Sequence, residues 1–350
     1  MNKKHQLMSL LIPVLTIIAA LIVGAILILV SGVNPILAYQ AMIKGALGST
    51  NGLAEILVHA TPLILSSLGI AFAFKVGLFN IGGDGQILIG ALAATVVGVY
   101  VKGLPVYIHL PLVLIAGFIG GAVWMIIPGF LFVKLRVNTI ISTIMLNHVA
   151  YFQIMYLVNG PMRDVASWTN QSAMVATTAQ IPILIEKTRA HYGFVIALLA
   201  AVIVYFILEK TVMGFKLTTV GINPIASKYA GIKNYLYILI GSAISGGLAG
   251  IAGMSEITGV YHRLLTDVSP GIGYTAVVIA LLGRNKPVGI ILSSLLFAML
   301  KVGSQMMQQK TGIPVPLASV ITGIIFFFWL VGEYFRNRMI SKPIKSTSGE

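Results

Sequence analysis

The sequence predicts an all-α polytopic membrane protein of about ten transmembrane helices, in two inverted five-helix halves whose third and eighth spans are short. Three observations predict it. Hydrophobic residues make up 57% of the 350 and charged residues 9%, with a mean hydropathy of +0.96, whereas a soluble domain carries roughly 25% charged residues. So apolar a chain uses lipid as solvent, where the backbone must satisfy itself within helices or a closed barrel. Apolar runs of about 20 residues, enough to cross a bilayer, recur from end to end. Two runs fall short of that length, and each follows a polar stretch containing glycine.

The first span covers about residues 8–30, and Leu7–Val30 holds no charged residue. The basic start Met1-Asn2-Lys3-Lys4-His5 imitates a signal peptide, but the apolar run is too long and no small-x-small site follows Val30. It reads as a span that stays. Spans near 52–74, 86–101, 109–133 and 138–158 complete a first half, residues 1–160. An extracellular loop over 160–190 follows. Spans near 191–208, 235–257, 272–283, 287–307 and 315–333 make the second half, 191–335, and 336–350 is a tail. All of this forms a single transmembrane domain, 1–350. An even number of crossings returns both termini to one side. Most of the Lys and Arg, Lys75, Lys134, Arg136, Lys210 and Arg284 among them, fall on that side, so the positive-inside rule makes it cytoplasmic.

The short spans are Ile87–Val101 and Ile272–Gly283. At 1.5 Å per residue they reach roughly 22 and 18 Å, against a ~30 Å hydrocarbon core. The polar stretches before them are Gly77–Gln86 and Gly259–Gly271. With five spans in each half the second half is inverted, so the two short spans occupy matching places. Irregular backbone at membrane depth is tolerated where it is buried in protein or lines a cavity, and such breaks point to a transport path. Gly77–Gln86 therefore reads as partly embedded. The competing reading is a cytoplasmic turn in which Asp84 caps the next helix.

Ionisable groups inside spans are functional candidates, and Glu55, Asp84, Glu256 and Lys301 qualify. Asn80, Gln86 and Asn147 are amides that both donate and accept, and Phe79 offers a ring for stacking. These give the pathway candidates: Phe79, Asn80, Asp84, Gln86, Asn147 and Glu256. For each, the alternative is helix–helix glue. The small residues of Gly241–Gly253 fit close helix packing.

Other chemistries are excluded or disfavoured. A net charge of +14 reflects cytoplasmic loops and anionic lipid rather than nucleic acid. The chain has no cysteine, hence no disulfide framework or thiolate metal site. His148 has no ligand partner at suitable spacing, so no metal site is expected. No Gly-x-x-x-x-Gly-Lys-[Ser/Thr] occurs, so no phosphate-cradling loop is present. Ser242 and Ser245 have no neighbouring His, which disfavours a membrane-embedded enzyme.

The inside loop 209–234 contains Gly221-Ile222-Asn223-Pro224-Ile225-Ala226-Ser227-Lys228-Tyr229-Ala230-Gly231-Ile232. Asn223 is a good N-cap, Pro224 suits the first helical position, and Gly231 can end the element. Ala226 and Ala230 would form a small face. So short a helix is unstable alone and needs something to pack on, either the membrane surface or a partner protein.

With Phe79-Asn80-Ile81-Gly82-x-x-Gly85-Gln86, Thr143-Ile144-Met145-Leu146-Asn147, the Gly221–Ile232 motif, Gly271-x-Gly273-Tyr274 and Ala280-Leu281-Leu282-Gly283-Arg284-Asn285, nearly the whole chain resembles the permease subunits of bacterial ABC importers for ribose-type sugars, branched-chain amino acids and nucleosides. The Phe79–Gly82 form and the Asn147 segment most resemble the nucleoside branch, where Glu is usual in place of Asp84. The resemblance implies a plasma-membrane permease subunit, without enzymatic activity, that moves purine nucleosides such as guanosine by alternating access. It implies a second permease or a copy of itself as partner, a substrate-binding lipoprotein outside, and cytoplasmic ATPases. ATP and Mg would be used by the ATPase, with no cofactor bound here. Gly221, Asn223, Pro224, Ala226, Ala230 and Gly231 would form the ATPase-coupling helix. The outside loop, with Arg163, Asp164, Trp168, Glu186, Lys187 and Arg189, would touch the binding protein; otherwise it is a solvated loop with Trp168 at the lipid interface. A sugar such as ribose or galactose is the alternative cargo. An ion-coupled secondary transporter, with Asp84 or Glu256 as the proton or sodium site, is the alternative class.

Overall fold

Apolar runs punctuated by Gly, Pro and Asn become helices. The computed structural model describes residues 3–340, which form thirteen α-helices and, among the described residues, no strand beyond isolated bridges. They are α1 Lys3–Val30, α2 Pro35–Leu47, α3 Thr50–Lys75, α4 Gly83–Tyr100, α5 Val106–Leu135, α6 Thr139–Asn159, α7 Gly193–Lys210, α8 Val212–Ile222, α9 Pro224–Tyr229, α10 Asn234–Glu256, α11 Ile272–Leu282, α12 Pro287–Thr311 and α13 Val315–Ile340.

Each predicted span finds a helix. Among the described residues, α3, α4, α5, α6, α7, α10 and α12 are long and apolar enough to cross a bilayer, and the bent pair α1–α2 adds one. The differences are local. The stretch after the first span is helix, because Asn34 accepts from Ile36 N (2.9 Å) and Pro35 takes the first position of α2. The 209–234 loop holds α8 as well as the expected short helix. α10 continues as a π-turn over Ile257–Tyr261. The sixth span starts at Gly193 rather than 191. The tail placed at 336–350 begins as α13, and residues 341–350 lie outside the described residues.

Two compact units are present. One comprises residues up to Leu53 and from Ala298 onward. In it α1 runs along α13, and the chain turns by 116° into α2. Tyr39 OH, on α2, donates to the Leu21 carbonyl (2.7 Å). The small face of α2 rests on α12, with Gly45 against Met306 and Gly303 against Met42.

The other unit spans Ala54–Phe297. Its centre is a triangle of α4, α5 and α10, with α6 and α11 against α4. Lipid gives apolar helices no reason to associate, so small residues let backbones approach instead. Gly250 is the clearest case. A Cβ there would collide with the Gly117 carbonyl, and one on Gly121 would collide with the Gly246 carbonyl. The stripe Gly241–Gly253 is thus the packing surface of α10.

Candidate functional site

The two predicted breaks meet. After α3 the chain turns at Gly77, whose φ of +84° favours glycine, and runs irregularly to Gly82. Helix α4 starts at Gly83, so Asp84 and Gln86 lie in its first turns rather than ahead of it. Across from it, α11 starts after Gly271, at φ +76°. Gly83 and Gly273 touch: a Cβ on Gly83 would lie 2.8 Å from the Gly273 Cα, and one on Gly273 would collide with the Asp84 nitrogen.

Asp84 ties the breaks together. Its Oδ1 accepts from Ser269 Oγ (2.8 Å) and from the Gly273 backbone N–H (2.8 Å). Gly82, the N-cap residue of α4, offers no side chain to cap that helix. The carboxylate therefore caps a helix, but that helix is α11 and not its own, as the competing reading had it. Both helices begin at this carboxylate, so one negative charge answers the partial positive ends of two helix dipoles. Burial of Asp84 at 7% exposure is tolerated because both donors face it.

The amides complete the joint. Asn80 is fully buried. Its Nδ2 donates to Gln86 Oε1 (3.1 Å) and Ser245 Oγ (3.0 Å), and its Oδ1 accepts from Gln86 Nε2 (2.9 Å) and Gly82 N (2.8 Å). Asn147 Oδ1 accepts from Gly85 N (2.8 Å), while its Nδ2 donates to the Ile81 carbonyl (3.0 Å) and Tyr274 OH (3.3 Å). Asn80 and Asn147 satisfy the backbone that leaves helix geometry at the break, and Gln86 holds Asn80 in place. Phe79 stands apart. Its ring is exposed and packs on Phe74 with centroids 4.9 Å apart. Glu256 closes α10, buried, three residues beyond Gly253, which lies against the Ile87 carbonyl.

Five helices of crossing length, α4, α5, α6, α7 and α10, separate the two breaks. If each of them crosses, the count is odd and the two breaks start from opposite faces.

Sequence reasoning missed Ser269 and Ser245, which hold Asp84 and Asn80, because the partners are 185 and 165 residues apart. It also passed over Trp124, whose buried indole N–H has no partner among the described residues and lies beside Gly85. A tryptophan in a chain with three was the available signal.

Away from the breaks, α9 forms where predicted. Asn223 Oδ1 accepts from Ile225 N (3.1 Å) and Ala226 N (3.0 Å), and Gly231 follows at φ +75°. Ala226 and Ala230 are exposed, as are Ile222, Ile225 and Tyr229. Asn234, the first residue of α10, donates to the Pro224 carbonyl (2.7 Å) and accepts from Ser227 Oγ (2.8 Å). The 160–190 segment is only partly a solvated loop. Val175, Ala179 and Ile181 are buried against α4 and α10, while Val165 and Trp168 are fully exposed. Arg263 donates to Asp164 Oδ2 (2.6 Å), which holds that carboxyl below the usual range.

The permease component of the branched-chain amino acid transport system is the family whose description matches residues 52–330. The chain belongs to that family. Among its relatives, the guanosine ABC transporter permease of Bacillus subtilis is 38% identical over 97% of this chain and 98% of its own. The glucose ABC transporter permease of Haloferax volcanii is 38% identical over 93% and 88%. The nucleoside ABC transporter permease of Lactococcus lactis subsp. cremoris is 34% identical over 94% and 92%. No solved structure matches the chain. In this multi-pass permease the joined breaks are the candidate for the site where the path opens, and α9 is an exposed helix fastened to one side of the central triangle.

Proposed function

We propose that this permease is the membrane subunit of an ATP-binding cassette importer carrying nucleosides, purine nucleosides such as guanosine foremost, across the bacterial plasma membrane. The observation that carries this reading is 38% identity to a guanosine permease over 97% of this chain and 98% of that one. The charge at the breaks agrees with it. Broken helices elsewhere use their positive ends to hold anionic cargo; here Asp84 already occupies both ends. Uncharged, hydroxyl-rich cargo suits such a site better than a carboxylate does. Phe79, Asn80, Asp84, Gln86, Asn147 and Glu256 border or gate the path, and Trp124 Nε1 is a spare donor for a base or hydroxyl.

A cytoplasmic ATPase using ATP and Mg receives α9, with Gly221, Asn223, Pro224, Ala226, Ala230 and Gly231 shaping the docking element. This subunit binds no cofactor and catalyses no reaction. A second homologous permease, or a copy of this one, completes the membrane part. An extracellular lipoprotein docks on the Val165–Trp168 tip. Both termini are cytoplasmic. A sugar cargo is the second reading, favoured by the equal identity to a glucose permease.

The test is labelled guanosine uptake by cells expressing the chain with its partner genes, competed by unlabelled inosine, ribose, galactose or glucose. Inosine should abolish uptake and the sugars should leave it intact. Inhibition by a sugar alone moves the cargo to the second reading. Uptake that persists on an ion gradient without the ATPase rejects the ATP-driven scheme.

A further inference from the structure

Helix α2 was not expected from the sequence, and the proposed function does not use it. It buries Ala38, Ala41, Met42, Gly45 and Ala46. On its other side Ile36, Leu37, Ile43 and Leu47 stand 48–67% exposed. It follows α1 across a sharp bend, and the two helices pass together as one apolar stretch. Helix α2 thus presents a bare apolar side suited to lipid, whether it completes a broken span with α1 or folds back from it.

Between α2 and the end of α12 lies an open groove of about 520 Å³, lined by Val33, Leu37, Gln40, Lys44, Lys310 and Thr311 with neighbouring small residues. No acidic residue lines it. Among the described residues neither lysine forms an ion pair. Each lysine lies in the last turn of its helix, where a cation is favoured. That accounts for each alone but not for their meeting in one groove, where like charges repel. An anion between them turns that repulsion into two attractions, and these are stronger at an apolar surface than in bulk water.

We propose that this groove binds the headgroup of an anionic phospholipid, its phosphate between Lys44 and Lys310 and its acyl chains along Leu37 and the exposed side of α2. The apolar residues decide for a lipid over a soluble anion. A free phosphate would leave Ile36, Leu37 and Ile43 without a role, whereas a phospholipid uses both the charge and the apolar side. The site is independent of the cargo, so its failure says nothing about nucleoside transport.

The test uses the full chain in nanodiscs of phosphatidylcholine with a minority of phosphatidylglycerol, followed by mild delipidation and native mass spectrometry. The wild type should retain phosphatidylglycerol over phosphatidylcholine. Lys44→Gln with Lys310→Gln should lower that retention about tenfold. Lys44→Arg with Lys310→Arg should keep it, and Lys102→Gln with Lys187→Gln, the same charge change elsewhere, should not alter it. Equal loss in the Lys102 and Lys187 variant overturns the site, because the effect is then one of net charge. Displacement by millimolar inorganic phosphate as complete as by lipid also overturns it, in favour of a soluble anion. Should the Gln pair fail to fold, the wild type decides alone. A diazirine-bearing phosphatidylglycerol should crosslink within residues 32–44 and 308–311, and crosslinks spread evenly over the lipid-facing helices reject the groove.

Discussion

At the scale of one residue, Asp84 holds two helix starts with one oxygen. Removing its side chain leaves Ser269 Oγ and Gly273 N–H buried without an acceptor. Each hydrogen bond to a charged group contributes about 1.5–3 kcal/mol, so Asp84→Ala should lower stability by roughly 3 kcal/mol or more, read as a lower unfolding midpoint of the purified chain. Asp84→Asn keeps an oxygen for both donors and loses only the charge, so it should lie between wild type and Ala. Equal midpoints for Asn and Ala would show that the charge, not the acceptor, makes the joint. His191 makes a second test. It lies outside the spanning helices, against Gly259, and its Nδ1 accepts from Gly193 N (3.1 Å). Burial first, then His262 and Arg189, lower its pKa to about 4. The folded chain therefore refuses a proton that the unfolded chain takes from pH 6.5 downward. Stability is full above 6.5 and falls as pH drops towards 4, by about 2 kcal/mol at pH 5 for this group. His191→Asn keeps an acceptor for Gly193 and should flatten that part of the pH profile of the unfolding midpoint. An unchanged slope would place the loss in other groups.

At the scale of elements, the helices were legible because lipid demands long apolar runs; among the described residues seven are long and apolar enough to cross, or eight with the bent pair. α2 was not legible: a thirteen-residue helix is shorter than a span, and what orders it is contact with α12. The π-turn after α10 was not legible either, since Gly259 marked that segment as the start of a break and not as a continuation of the helix. α9 was legible from its cap, but its support was not. A six-residue helix is too short to hold by itself, and the contact that holds it is Asn234, ten residues beyond Pro224. Through Asn234 any push on α9 reaches α10, and through α10 it reaches α4 and α5. Asn234→Ala should thus leave ATP hydrolysis by the assembled transporter largely intact and cut uptake about tenfold, since a lost polar clasp of about 1–2 kcal/mol is of that size. Parallel loss of hydrolysis and uptake would mean that Asn234 serves docking and not transmission. Asn223→Ala, which removes the cap at a cost of about 1 kcal/mol, should weaken the same coupling without moving the global unfolding midpoint. Gly250→Leu acts differently, since the backbones of α10 and α5 leave no room for it. Overpacking costs about 1–3 kcal/mol or more, and the purified chain should unfold correspondingly earlier.

At the scale of the whole molecule, the sequence showed two glycine-bearing breaks but not that they touch. Spacing along the chain carries no record of which distant segments meet, and Ser269, the residue that would have said so, is an ordinary serine. What the pattern did carry was parity, because five spans lie between the breaks. If all five cross, the two segments enter from opposite faces and their contact lies between them, the geometry an alternating gate would need. The chain has no cysteine, so this can be tested with single introduced thiols. Phe79 lies on the exposed side of the first break and Asp267 on the exposed side of the second. A membrane-impermeant maleimide applied to intact cells should label Asp267→Cys and spare Phe79→Cys, and in inside-out vesicles the two should exchange. Thiols placed at Ser269 or Asn80, buried in the joint, should resist the reagent from both sides until the transporter turns over. Labelling of Phe79→Cys and Asp267→Cys from the same face would mean an even number of crossings between the breaks, and their meeting point would then lie at a membrane surface rather than within the bilayer.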